Sequence, residues 1–200
     1  MGNSDATVVF VPGLRDHVAD HWQTLLAGRL PSSDCVPRLG KGVLSLTRWV
    51  EALEATVAKH EGPVYLAAHS AGAIIVAHWA RASARAIQGA LLATPPDFAR
   101  PLPAGYPALE ALAGEGWLPL PRARLPFRSI VAASTDDPLG DFDSVTELAA
   151  DWGSQLYNAG AVGHLNGASG FGEWSAALRL LQALGLPQWA LPPAYASRGE

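Results

Sequence analysis

Lysine and cysteine are nearly missing from this chain. Only Lys41 and Lys59 stand among its 14 basic residues, and Cys35 is the sole thiol. A single cysteine excludes an intramolecular disulfide and any zinc site built on several thiolates. No basic run exists that could track a phosphate backbone, and the formal charge is −4, so nucleic acid is not an expected partner. Charged residues make up 16% of the sequence, yet no apolar stretch approaches the eighteen or so residues of a membrane span. The opening residues, Met1 to Ala6, lack the basic segment of a signal peptide. Ala6 also stands where a myristoylation signal wants Ser or Thr. What is there is apolar: 49% hydrophobic residues in 200, enough to bury one sizeable core and too many for a disordered chain. The expectation is one soluble, cytoplasmic domain over residues 1–186, with a loosely tied tail over 187–200.

The apolar residues are arranged in two periods. Thr7–Val11, Val64–Ala68, Ala90–Ala93 and Ser129–Ala133 are short, nearly continuous apolar runs, which predicts buried strands. Gln155–Tyr157 and Cys35–Val36 are weaker strand candidates. Trp49, Leu53 and Val57 recur at helical spacing, and 18–30, 71–84, 143–152 and 173–184 also read as helices. Strands alternating with helices predict an α/β fold with a mainly parallel sheet covered on both faces. Trp22, Trp49, Trp79, Trp152 and Trp174 fall in the helical patterns and are expected in the core.

Residues 94–127 break the rhythm. They hold eight of the 16 prolines together with Phe98, Tyr106, Leu109, Leu112, Trp117, Leu118 and Leu120. A long, stiff, apolar excursion between two strands predicts a cap over a site, with Phe98, Tyr106 and Trp117 as substrate-binding candidates. Trp117 could equally belong to the core of the cap.

Ala68-His69-Ser70-Ala71-Gly72 sits between a strand and a helix. Small residues two positions either side of a serine suit the cramped turn of a nucleophile elbow, where a bulky neighbour would strike the adjacent strand or helix. The competing reading is an ordinary turn in which Ser70 caps the helix. An acid and a histidine follow in the order such a triad requires. Ser134-Thr135-Asp136-Asp137-Pro138 ends one strand, and Gly163-His164-Leu165-Asn166 follows the last. The pattern alone leaves Asp136 and Asp137 both open. For the oxyanion, backbone N–H groups of Ala71 and of Leu14 are the expected donors, with Arg15 as the alternative one residue on. His17 and His21 stand four apart, but no metal is expected because the motif lacks its glutamate. His69, beside the serine, is assigned a packing role.

These stretches resemble the small serine hydrolases named for retinoblastoma-binding protein 9, and especially their bacterial YdeN-like branch. The likeness also runs through Val11-Pro12-Gly13, His21-Trp22-Gln23, Trp152-Gly153-Ser154 and the long run from Gly163 to Trp174. It spans residues 8–184. It implies a compact α/β-hydrolase fold, nucleophile Ser70, acid Asp137 and base His164. No cofactor follows from it. The expected activity is cleavage of an ester, thioester or small amide through an acyl-enzyme. The alternative is a hydrolase-like fold serving mainly as a protein-binding module.

Overall fold

The computed structural model describes residues 6–15, 17–40 and 42–188. Most of the expected tail at 187–200 therefore lies outside the described residues, as does Asp16. Six strands form one sheet: β1 (Thr7–Val11), β2 (Ser33–Cys35), β3 (Val64–His69), β4 (Gly89–Ala93), β5 (Ser129–Ala133) and β6 (Gln155–Asn158). All neighbouring pairs are parallel, in the order β2-β1-β3-β4-β5-β6. The chain leaves β1 for β2 on one side and then returns to place β3 on the other. Strand order reverses there, and the loops after β1 and β3 open a crevice at the carboxyl edge of the sheet.

Alternation along each strand divides the interior in two. Val9, Val11, Leu66, Ala68, Leu92 and Val131 face one layer, packed with α2 (Leu46–Val57), α3 (Ala71–Trp79) and α5 (Phe142–Trp152). Val8, Phe10, Ala67, Leu91, Ile130 and Ala132 face the other, with α1 (Trp22–Ala27) and α6 (Ala176–Ala183). Helix α3 is apolar all round because it is covered all round: every residue except His78 is buried. The five tryptophans expected in helices are all buried, at 8% exposure or less, although Trp174 lies just before α6 rather than within it.

Three differences from the sequence reading have local causes. A helix over 18–30 is expected, but α1 begins only at Trp22. His21 holds an extended backbone there, and its Nδ1 accepts the N–H of Gln23 as an N-cap. His17 and His21 are therefore not on one helical face; His17 Nε2 donates to the Val36 carbonyl at 2.8 Å. Strand β2 lies at Ser33–Cys35, two residues earlier than expected, paired with Val8–Phe10. Within the proline-rich segment a short helix, α4 (Leu109–Gly114), buries Leu112 against the α2–α3 layer.

Candidate active site

Ser70 leaves β3 with φ 57° and ψ −129°, a backbone that side chains other than glycine rarely adopt. Such strain costs on the order of 1–3 kcal/mol and persists only where the surroundings enforce it. Here two glycines admit the enforcing contacts. A Cβ on Gly72 would stand 2.4 Å from the Val11 carbonyl oxygen and 2.7 Å from that of Pro12. A Cβ on Gly13 would stand 3.2 Å from Ser70 Cβ. The β1 loop can therefore lie directly against the serine turn. Ser70 does not cap α3 with its side chain, contrary to the capping alternative. Its Oγ instead lies 2.8 Å from His164 Nε2.

The other ring nitrogen, His164 Nδ1, lies 2.9 and 2.8 Å from the two Asp137 carboxylate oxygens. A carboxylate accepts, so the proton sits on Nδ1 and leaves Nε2 with a lone pair facing the Ser70 hydroxyl. Asp137 Oδ1 is also held by the Leu139 N–H at 2.9 Å. Both partners are dry, with side-chain exposures of 5% for His164 and 3% for Asp137. Asp136 points elsewhere. Its Oδ1 accepts from the Ser134 hydroxyl at 2.8 Å and from the Gly163 N–H at 2.6 Å, tying the β5 loop to the histidine loop. Those two bonds, the hydroxyl first, hold its carboxyl below the usual carboxylate range. Ser169 Oγ accepts the His164 N–H at 3.0 Å, and Gly163, at φ 54°, leaves the room this contact needs.

Beneath this set lies a row of imidazoles. His69 Nε2 donates to the His164 carbonyl at 2.8 Å, which pins the His164 backbone. Its ring centroid is 4.9 Å from that of His164 and 4.5 Å from that of His21. Burial, then the neighbouring His164, holds the His69 pKa well below its ordinary value. The same causes push His21 down to about 4.

Above Ser70 opens a cleft of about 710 Å³. Ser70 and His164 line its floor, with Gly13, Leu14 and Ala71 beside them. The walls are mainly apolar: Val43 and Leu44 before α2, Phe98 and Leu102, and Leu139 after Asp137. Phe98 and Tyr106 of the proline-rich segment line the cleft. Trp117, expected there, does not. It is fully buried in the α2–α3 layer, its indole N–H donates to the Leu44 carbonyl, and its ring meets Phe98 edge-on at 6.4 Å. Both Phe98 and Trp117 are buried, and the one whose N–H finds a backbone carbonyl lies away from the cleft. The sequence reading missed Val43, Leu44, Leu102 and Leu139. All four lie in loops between a strand's carboxyl end and the following helix, or in the proline-rich excursion, so the sheet-edge rule was the signal that could have found them.

Residues 8–183 match the serine hydrolase family. The chain belongs to that family. A YdeN-like hydrolase from Pectobacterium atrosepticum is similar at 28% identity, covering 90% of this chain and 92% of its own, with a TM-score of 0.76. The ydeN gene product of B. subtilis is 21% identical, covering 90% and 98%, with a TM-score of 0.68. Est1E from Butyrivibrio proteoclasticus shares the fold at 9% identity, covering 92% and 89%, with a TM-score of 0.67. Among curated proteins none matches by sequence. The serine hydrolase chain is thus of the small YdeN-like kind, with an α/β-hydrolase fold.

Proposed function

We propose that this serine hydrolase cleaves an ester, thioester or small amide through an acyl-enzyme, with Ser70 as nucleophile, His164 as base and Asp137 as its orienting acid. The observation that carries the reading is the hydrogen-bonded chain from Ser70 Oγ through His164 to Asp137 at the floor of an apolar cleft. Ser70 Oγ attacks the carbonyl carbon as its proton passes to His164 Nε2. The oxyanion is received by the N–H groups of Ala71 and Leu14, whose residues flank Ser70 in the cleft. His164 then gives its proton to the leaving oxygen, sulfur or nitrogen as the bond to the acyl carbon breaks. A water, deprotonated by the same nitrogen, attacks the acyl-enzyme, and the proton returns to Ser70. Every proton has a place on this chain, so the cycle calls for no cofactor. A small-molecule substrate suits a cleft of about 710 Å³. A reducing cytoplasm suits a fold whose sole thiol is Cys35. Among the described residues no helix is long and apolar enough to cross a membrane.

A fluorophosphonate probe tests the reading. Native protein should label, and Ser70→Ala should not. Hydrolysis of p-nitrophenyl acetate should fall by about 10⁴–10⁶ in kcat for Ser70→Ala or His164→Ala, and the double variant should lose little more. A folded native protein that never labels would leave a binding module on a hydrolase-like fold.

A further inference from the structure

Within the proposed hydrolase reading, the structure also points to what the cleft accepts. Its walls are mainly apolar, and one basic and one acidic side chain stand among its described lining residues, Arg15 and Asp20. They lie in different surroundings. Asp20 is placed against the turn after His164, where a Cβ on Gly167 would come within 3.4 Å of its carboxylate. Arg15 is placed against the proline-rich segment, its guanidinium 4.8 Å from the centroid of the Tyr106 ring. That stacking fixes a side chain that would otherwise sweep a wide volume, at little cost in hydrogen-bonding capacity, because the guanidinium edge stays available while its face is covered. Among the described residues no carboxylate pairs with Arg15. An exposed arginine with no acid partner among the described residues, on a chain of formal charge −4, is a local positive point on the lining of a mainly apolar cleft.

Gly13 touches the Ser70 turn, and the chain turns at Leu14 and Arg15 directly after it, so Arg15 and Ser70 line one cleft. An acyl group attached at Ser70 and the Arg15 guanidinium would therefore share that cleft, with Leu14 also on its lining. We propose that Arg15, held by Tyr106, is a specificity-determining residue that receives a carboxylate at the far end of the acyl group. The substrate class is then the half-ester, half-thioester or half-amide of a dicarboxylic acid, with an apolar spacer lying along Leu14, Phe98 and Leu102. Two parallel N–H donors of a guanidinium match the two oxygens of a carboxylate, which a lysine ammonium does not.

Mono-p-nitrophenyl esters of succinic, glutaric, adipic and suberic acids, each paired with the methyl-terminated ester of equal chain length, read this contact. Native protein should favour the carboxylate-terminated member at one chain length by about tenfold in kcat/KM. Arg15→Gln should collapse that ratio to about one, and Arg15→Lys should retain part of it. Equal losses for charged and neutral esters in Arg15→Gln, accompanied by a lower Tm, would make the Arg15–Tyr106 contact a structural latch and overturn the proposal. So would a native preference for a choline-type cationic ester, which would assign the selection to Asp20. Equilibrium binding of glutaric and adipic monoanilides to Ser70→Ala protein, with and without Arg15→Gln, reads the same contact without turnover. Unchanged affinity there would overturn the carboxylate site alone. Failure of the native protein to label with fluorophosphonate would instead overturn the hydrolase reading.

Discussion

Asp136 and Asp137 are adjacent and chemically identical, and their neighbours alone separate them. Asp137 meets both oxygens to the imidazole, while Asp136 receives a hydroxyl and a backbone N–H from the loops on either side. Asp137→Asn should therefore cost on the order of 10⁴ in kcat, because the amide can hold the ring in the wrong tautomer. Asp136→Asn should cost far less and act through a looser His164 loop. Kinetics of the two folded variants with one p-nitrophenyl ester check this, and the reverse order would mean the roles are exchanged. In sequence the two acids are not separable by pattern, since both precede Pro138 in one turn; the family resemblance favours Asp137. The need for small residues around Ser70 is legible, because a turn that tight leaves no room beside it. Gly72→Ala brings a Cβ to 2.4 Å from a backbone oxygen that no rotamer change can move. Destabilisation of about 1–3 kcal/mol is expected, read as a lower Tm, together with slower labelling of Ser70 as its turn shifts.

At the scale of elements, the strands are legible to within two residues, since continuous apolar runs between turn residues have few other uses. The helix after Asp20 and the interior of the proline-rich segment are not. A six-residue helix such as α4 presents too few turns for a period to show, and its stability comes from Leu112 packing under α2 rather than from its own sequence. Aromatic character likewise cannot say which of Phe98 and Trp117 lines the cleft, because the choice depends on a carbonyl at Leu44, in another loop. The segment is anchored at its start as well. Asp97 Oδ2 accepts the Asp141 N–H at 2.9 Å, its own N–H donates to the Leu139 carbonyl, and Arg100 pairs with both Asp97 and Asp141, so the segment is tied to the loop after β5. Trp117→Ala should cost about 3–5 kcal/mol as a buried aromatic and leave the ranking of short and long acyl esters unchanged. Phe98→Ala, at the cleft wall, should change that ranking. Thermal melting beside a p-nitrophenyl ester panel distinguishes the two, and a re-ranking by Trp117→Ala alone would reverse their placement.

For the whole molecule, the alternation of strands and helices foretells a parallel sheet, and a parallel sheet foretells a site at its carboxyl edge where β1 and β3 diverge. Sequence pattern does not foretell that two further imidazoles would join His164 at that site, His69 tilted against it and His21 edge-on to His69, because the histidines come from positions 21, 69 and 164 and meet only through the fold. Their burial ties stability to pH. Burial holds His69 well below the ordinary histidine value and pushes His21 down to about 4, whereas both regain the ordinary value in the unfolded chain. On acidification the unfolded state therefore takes up protons that the native state refuses, and stability falls. The loss begins near the unfolded value of about 6.5 and, for His21, continues down to about 4, with a slope of at most about 1.4 kcal/mol per pH unit for each group. Asp136 adds the same sign at still lower pH, since its folded value lies below the ordinary carboxylate range. Tm measured from pH 8 to pH 4 should accordingly stay level at the top of that range and decline below about 6.5. His21→Asn keeps an acceptor for the α1 N-cap while removing one titrating ring, so its decline should be shallower. An identical decline in that variant would locate the acid sensitivity in other groups.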